Sequence, residues 1–311
     1  NTQRALLTAA HTLYPQEAAP LIEPLLPQLP ETKPFAIAAY TLLAAGMPGV
    51  EARLRERVLR QFPQWRDDAR LMALMQRLDS ASDSRPPLPE LLAAPLRPGY
   101  PAVFSLQRPG RQHMGLALVR APDGRFLREA NGALLAIPQL ALARSGLPGT
   151  ITNGNTPQGV FAVVGAGTAT NPWIGPTPYL HSKIPIEASV ADYEQAAGFV
   201  TSNGAPSPSN ANNAAEWSMA IYESFLPASW RNYFPAKEVW LAGRAGRDEM
   251  LSHGTTIQPD LYRNTPWYPG TPSAGCLVAM EYWDNDGRLV HSDQLALIKA
   301  FTAGGLDYGY L

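Results

Sequence analysis

Hydrophobic periodicity changes once along this chain, near Pro98, and the change separates two kinds of structure. Before it, Leu71, Leu74, Met75 and Leu78 follow the i, i+3, i+4, i+7 spacing of one helical face. Val50, Leu54, Val58 and Phe62, each four residues apart, mark one helical face earlier, with Arg53, Arg55, Glu56 and Arg57 between them. Residues 2–14 and 34–45 read as further short helices. They are punctuated by Pro20, Pro24, Pro27, Pro30 and Pro34, each a poor interior helix residue. The proline-rich tract 80–89 reads as a linker. After Pro98 the apolar runs shorten. Residues 102–106 and 114–120 read as strands, Pro122-Asp123-Gly124 as a turn, and 125–127 as the returning arm of a hairpin. The expected fold class is α+β, with a helical region over 1–96 and a β-rich domain over 97–311.

Within the second part, 134–143 is apolar and ambiguous, with a short helix preferred. Residues 149–159 are rich in Gly and Asn, which suit positive φ, and lead to a strand at 160–164. The segment 187–236 is expected to be an insertion. It holds a mobile Ser/Asn/Pro-rich loop at 202–213 and a helix at 216–225 with Trp217, Ile221 and Phe225 on one face. Strands at 239–242 and 249–252 lead into His253. Ser292 is placed to cap a helix carrying Leu295, Leu297, Ile298 and Phe301, ended by Gly304-Gly305, with a last strand at 306–311.

Composition excludes several function classes. Charged residues are only 16% of the 311, and 25 basic side chains balance 26 acidic ones. That is no electrostatic footprint for nucleic acid or an anionic membrane surface. No run of about 18 apolar residues is present to span a bilayer. The 45% hydrophobic content supplies a sizeable core, and 31 prolines with 25 glycines suit a loop-rich, strand-rich body. Nothing in the sequence sets an oligomeric state.

The single cysteine, Cys276, cannot form an internal disulfide. It follows Ser273-Ala274-Gly275, small residues that form turns and leave room for a substrate, and precedes apolar Leu277-Val278. It reads equally as a small buried hydrophobe and as a nucleophile where a loop meets a regular element. Backbone N–H groups around Gly275 and Cys276 would then form an oxyanion hole. His253, at a strand end and followed by Gly254, is the candidate base. Of the other histidines (His11, His113, His181 and His291), only His181, on a plausible strand, competes with it. Cys276 has no CxxC partner and no His pair has ligand spacing, so no metal is expected. Gly165-Ala166-Gly167 is too short for a nucleotide loop. Trp267, Tyr268, Tyr282 and Trp283 read as core or lid packing as readily as substrate contacts, and 171–178 as a plain loop or a groove wall.

Taken together, these residues resemble the YkuD-type L,D-transpeptidase catalytic domain. That family's mark is His-Gly or His-Ser, a loop, then Ser/Thr-His-Gly-Cys. Here it reads His253-Gly254, then Ser273-Ala274-Gly275-Cys276. A second mark, Thr-Pro-x-Gly-x-Phe, reads Thr156-Pro157-Gln158-Gly159-Val160-Phe161. The resemblance covers about 98–311. It implies a β-rich catalytic domain, no cofactor, a periplasmic or secreted location with the signal peptide removed, and peptidoglycan peptide stems as donor and acceptor. Cys276 would be the nucleophile and His253 the base, oriented by the Gly254 carbonyl. Gly275, with Ser273 and Ala274, would shape the oxyanion and substrate region. The implied reaction is a 3-3 crosslink or, given the divergent motif, a 1-3 crosslink. Hydrolysis by an L,D-carboxypeptidase or endopeptidase, or peptidoglycan binding without turnover, are the alternatives. The chain departs from the family in carrying Ala274 for His, Val278 for Arg or Asn, and a longer His-to-Cys spacing.

Overall fold

The computed structural model describes residues 2–79, 85–169, 174–196, 213–248, 250–255 and 272–311. Helices come first: α1 (Thr2–Leu13), α2 (Pro15–Ile22), α3 (Thr32–Ala44), α4 (Val50–Gln61), α5 (Ala69–Asp79) and the short α6 (Leu88–Ala93). α3 is buried along almost its whole length, from Pro34 to Leu42, as suits a helix apolar on every side. α1, α2 and α5 pack around it. α4 buries its periodic stripe, Val50, Leu54 and Val58, and α5 buries Leu71, Leu74, Met75 and Leu78 together with Ala69 at its start. Asp68 caps α5 by accepting the N–H groups of Arg70 (2.8 Å) and Leu71 (3.1 Å), and its other oxygen accepts the Thr32 hydroxyl at 2.6 Å. The prolines interrupt this region less than their number suggests. Pro20 lies inside α2, and Pro24 and Pro27 lie in a 3-10 turn over Glu23–Gln28.

The sheet follows: β1 (Ala102–Leu106), β2 (Gly115–Arg120), β3 (Ala136–Gln139), β4 (Ala162–Gly167), β5 (Tyr179–Lys183), β6 (Met250–Gly254) and β7 (Leu277–Ala279), with β10 (Gly309–Tyr310) inserted from the C-terminus. Their order is β3-β2-β1-β10-β4-β5-β6-β7, antiparallel except for the β1–β10 and β6–β7 pairs. The two edges meet. Leu140, just past β3, exchanges both backbone hydrogen bonds with Val278 of β7, at 2.8 and 2.9 Å. β8 (Glu281–Trp283) and β9 (Leu289–Ser292) form a separate ribbon. The molecule is α+β, with helices preceding a large mixed sheet.

Short helices cover one face of the sheet. They are α7 (Val190–Gln195), α8 (Asn213–Glu216), α9 (Met219–Glu223) and α10 (Glu238–Arg244). Tyr193, Trp217 and Tyr222 are buried there with Phe104, Ala162 and Val164 from the strands. The other face holds α11 (Asp293–Thr302), whose Leu297 and Phe301 pack on Val103, Val119, Val163 and Leu180. Ser292 caps α11 by accepting the Leu295 N–H at 2.9 Å.

Several local expectations change. Residues 239–242, expected as a strand, are helix α10. All four are buried, and a continuous apolar run carries no period to separate strand from helix. Residues 136–139, read toward helix, are strand β3 despite Pro138. The strand expected at 160–164 begins at Ala162 and reaches Gly167, so Gly165-Ala166-Gly167 is strand. The helix at 216–225 is broken, with Ser218 capping α9 afresh. Residues 125–127 contribute only a single bridge, Arg120 to Phe126. Of the linker at 80–89, 80–84 lie outside the described residues and α6 starts at Leu88. The loop expected to be mobile at 202–213 lies outside them as far as 212, as do Trp267, Tyr268 and residues 171–173.

One packing feature links the two parts. Leu147 and Ile151, from the segment before Thr156, are fully buried in the core of the N-terminal helices, beside Phe35, Leu54 and Leu74. Lys33 Nζ reinforces this contact by donating to Thr152 Oγ1 at 2.7 Å. Ile151→Ala is expected to cost about 2–5 kcal/mol, because the cavity forms in a core shared by both parts. Urea unfolding followed by circular dichroism measures the loss; a midpoint equal to wild type would contradict the shared core.

Candidate active site

Strand pairing assembles the site. β6 runs parallel to β7 with Ser252 opposite Leu277, His253 opposite Val278 and Gly254 opposite Ala279. Register partners present their side chains to one face, so His253 and Val278 share a face, and Cys276 stands in the bend just before β7, two residues ahead of Val278. His253 is 6% exposed and Cys276 is half-buried. His181 pairs with Leu251 across β5–β6, so it lies on this same face, one strand further from Cys276.

His253 Nδ1 lies 2.7 Å from the Gly254 carbonyl oxygen. A carbonyl only accepts, so Nδ1 carries the proton and Nε2 presents its lone pair. Burial lowers the His253 pKa and the Gly254 hydrogen bond partly restores it. The imidazole is therefore neutral near pH 7, the form a base requires. Under Gly254 lies Glu281, fully buried, close enough that a side chain on Gly254 would run into its carboxylate. Ser292 Oγ donates to Glu281 Oε1 at 2.7 Å, and Oε2 has no hydrogen-bond partner among the described residues.

The turn before β7 is held from three sides. Ser273 Oγ accepts the Gly275 N–H at 2.9 Å and donates to the Cys276 carbonyl at 2.8 Å. Thr156 Oγ1 donates to the Gly275 carbonyl at 2.9 Å, and the Arg144 N–H donates to the Ser273 carbonyl at 2.9 Å. The Gly275 N–H is thus already engaged by Ser273. Gly275 instead contributes backbone freedom: its φ is +136°, and a side chain there would meet Arg247 Nη2 and the Gly154 carbonyl oxygen. Ser273 and Gly275 are buried, whereas Ala274 faces solvent. Val278 is buried to 1% exposure beside its register partner His253.

Two residues at this site escaped the sequence reading, Arg247 and Glu281. Arg247 is 6% exposed, and its guanidinium donates to the carbonyl oxygens of Gly149, Asn155 and Gly154. In the sequence it stands in Arg244-Ala-Gly-Arg247-Asp248, which reads as an exposed charged turn. A buried cation gathering main-chain carbonyls leaves no mark of its own in one sequence. Glu281 likewise looks like an ordinary strand-surface acid.

A cavity of about 370 Å³ lies alongside, with Thr156 and Leu277 in its wall. Four arginines line it (Arg85, Arg97, Arg108 and Arg111), and none of its lining residues is Asp or Glu. Among the described residues no group of three or more His, Cys, Asp or Glu is arranged to hold a metal, and no helix is long and apolar enough to cross a membrane. No family model, curated protein or solved structure matches the chain.

The histidines set a pH dependence. His11 and His253 have lowered pKa values through burial, and His181 falls to about 4 through burial and then Lys183. The unfolded chain takes up these protons first, near pH 6.5, so folding stability drops as pH falls from about 6.5 toward 4. Thermal melts across that range should show the decline, with a shallower slope in His181→Gln; an equal slope would remove His181 as a contributor. Gly254→Ala should cost about 1–3 kcal/mol by overpacking Glu281, and an unchanged denaturation midpoint would show that the carboxylate moves aside.

Proposed function

We propose that this chain is a cysteine acyltransferase of the L,D-transpeptidase kind, acting on peptidoglycan peptide stems in the periplasm or outside the cell, with a YkuD-type catalytic domain. The observation that carries the reading is a neutral, Gly254-held imidazole on β6, the strand paired with β7, which the chain enters directly from Cys276. A nucleophile and a base oriented by a third group is the arrangement covalent acyl transfer requires. A carbonyl acceptor serves here as well as a carboxylate, because it fixes the same tautomer.

In the first half-reaction, His253 Nε2 takes the thiol proton and Cys276 Sγ attacks a donor-stem carbonyl. The carbon–sulfur bond forms, the scissile amide C–N bond breaks, and the proton passes from His253 to the departing amine. In the second, an amine on another stem attacks the thioester, its proton moves to His253 and on to sulfur, and the C–S bond breaks as the crosslink forms. The oxyanion of each tetrahedral intermediate develops against the backbone of the turn 273–276. Stem peptides carry free carboxylates, and the cavity, which adjoins the turn through Leu277 and Thr156, offers Arg85 and Arg108 beside the carboxylate-paired Arg97 and Arg111 to an anionic peptide.

Purified stem-containing muropeptides incubated with the chain should yield crosslinked dimers detectable by mass. Cys276→Ala should lower the yield by roughly 10⁴-fold or more with its circular dichroism spectrum unchanged. Crosslinking at the wild-type rate by Cys276→Ala would overturn the assignment. Shortened monomers without dimers would replace transfer by hydrolysis.

A further inference from the structure

We propose that Arg247 is a positioning residue of this site: its guanidinium holds the loop 149–155 beside the turn 273–276 and fixes a positive charge against Gly275, the residue before the Cys276 thiol. The clamp is read from its contacts. Nη1 donates to the Gly149 carbonyl at 2.5 Å and the Asn155 carbonyl at 2.7 Å, and Nη2 donates to the Gly154 carbonyl at 3.1 Å, with Met250 Sδ at 3.6 Å. Nη2 also occupies the space into which any side chain on Gly275 would project. The residue before the thiol is therefore glycine because a cation lies against it. The loop so held continues into Thr156, whose hydroxyl holds the Gly275 carbonyl. The guanidinium thus holds the loop, and the Thr156 hydroxyl at the loop's end ties it to the turn.

The charge is placed by the same geometry. Burial pushes the Arg247 pKa down to about 10, which leaves it cationic at neutral pH; Glu238, Cys276 and Asp248 act to raise it and Arg111 to lower it. Attraction between two groups is mutual, so a cation favoured by the cysteine's charge favours that charge in return. Glu238 neutralises Arg247 only in part. Its oxygens also accept the N–H groups of Gly149 (2.8 Å) and Gln158 (2.9 Å), and Arg111 Nη2 lies 3.7 Å away. A guanidinium suits this role because it keeps its proton when desolvated and because its fork reaches three carbonyls at once. His253 supplies no such charge, since burial keeps it neutral. The thiolate thus forms beside a fixed cation, and the imidazole is left to move protons.

The inference rests on Cys276 as the reactive thiol of the proposed function, and its test reads that thiol without any peptidoglycan substrate. Cys276 is the only cysteine, so alkylation by iodoacetamide followed by intact mass reports on it alone. The pH midpoint of the rate is the readout, because it is insensitive to how accessible the sulfur is. The midpoint of the native wild-type chain should lie below that of the same chain in urea. Arg247→Gln should move it up toward the urea value and slow alkylation at pH 7, by at most about tenfold for each pH unit of displacement. Arg247→Lys, which keeps the charge but not the fork, should restore a low midpoint. A native wild-type midpoint at or above the urea value would overturn the proposal, as would a folded Arg247→Gln with the wild-type midpoint. Should Arg247→Gln fail to fold, the native-against-urea comparison decides alone. A low midpoint with no crosslinked product would instead count against transpeptidation and leave the role of Arg247 standing.

Discussion

Closure of the sheet at Leu140 and Val278 is the constraint on which the rest of the site depends. An open sheet would leave β7 as an edge, with its backbone groups unpaired on one side and its entry turn anchored only by β6. The two hydrogen bonds between Leu140 and Val278 seat β7 between β6 and the segment that runs on from β3. That segment then supplies Arg144 and Thr156 to the turn that precedes Cys276. Inside the curve, α11 fills the concave face, and Gln294 donates to the Ser252 carbonyl at 2.8 Å next to His253. The placement of the turn before Cys276 beside β6 is therefore a property of a closed body, not of two neighbouring strands.

The N-terminal helices enter the same scheme through the loop they hold. Leu147 and Ile151 are buried among the helices, while the carbonyls of Gly149, Gly154 and Asn155 in the same stretch face Arg247. Apolar side chains and polar main chain of one short segment thus face two different bodies. Arg70 of α5 adds a second tie by donating to the Ala245 carbonyl, two residues before Arg247. The helical region buttresses the wall behind the thiol.

Sequence and structure agree most where a physical period or a local rule was available. The stripes of α4 and α5, the Ser292 cap and the strands β1 and β2 all follow from spacing or capping chemistry readable in a few residues. The errors fall where no period exists: Val239 to Ala242 is apolar throughout, and Ala136 to Gln139 includes a proline. At the candidate site, Cys276 and His253 stood out in the sequence because they are rare residues in turn-forming contexts. Arg247 and Glu281 were not, since their importance comes from burial against backbone far away in the chain. The engagement of the Gly275 N–H by Ser273 was likewise invisible, because it depends on a side-chain rotamer.

Ala274 stands between two buried neighbours and faces outward. Ser273 and Gly275 are fixed by hydrogen bonds and by the guanidinium packed behind them, but the methyl group of Ala274 meets solvent. Of these three residues before the thiol, it is the one at which the architecture tolerates exchange of the side chain. Descent could alter this position freely while the scaffold beneath it persisted. The fold of the turn therefore does not depend on which side chain stands at 274.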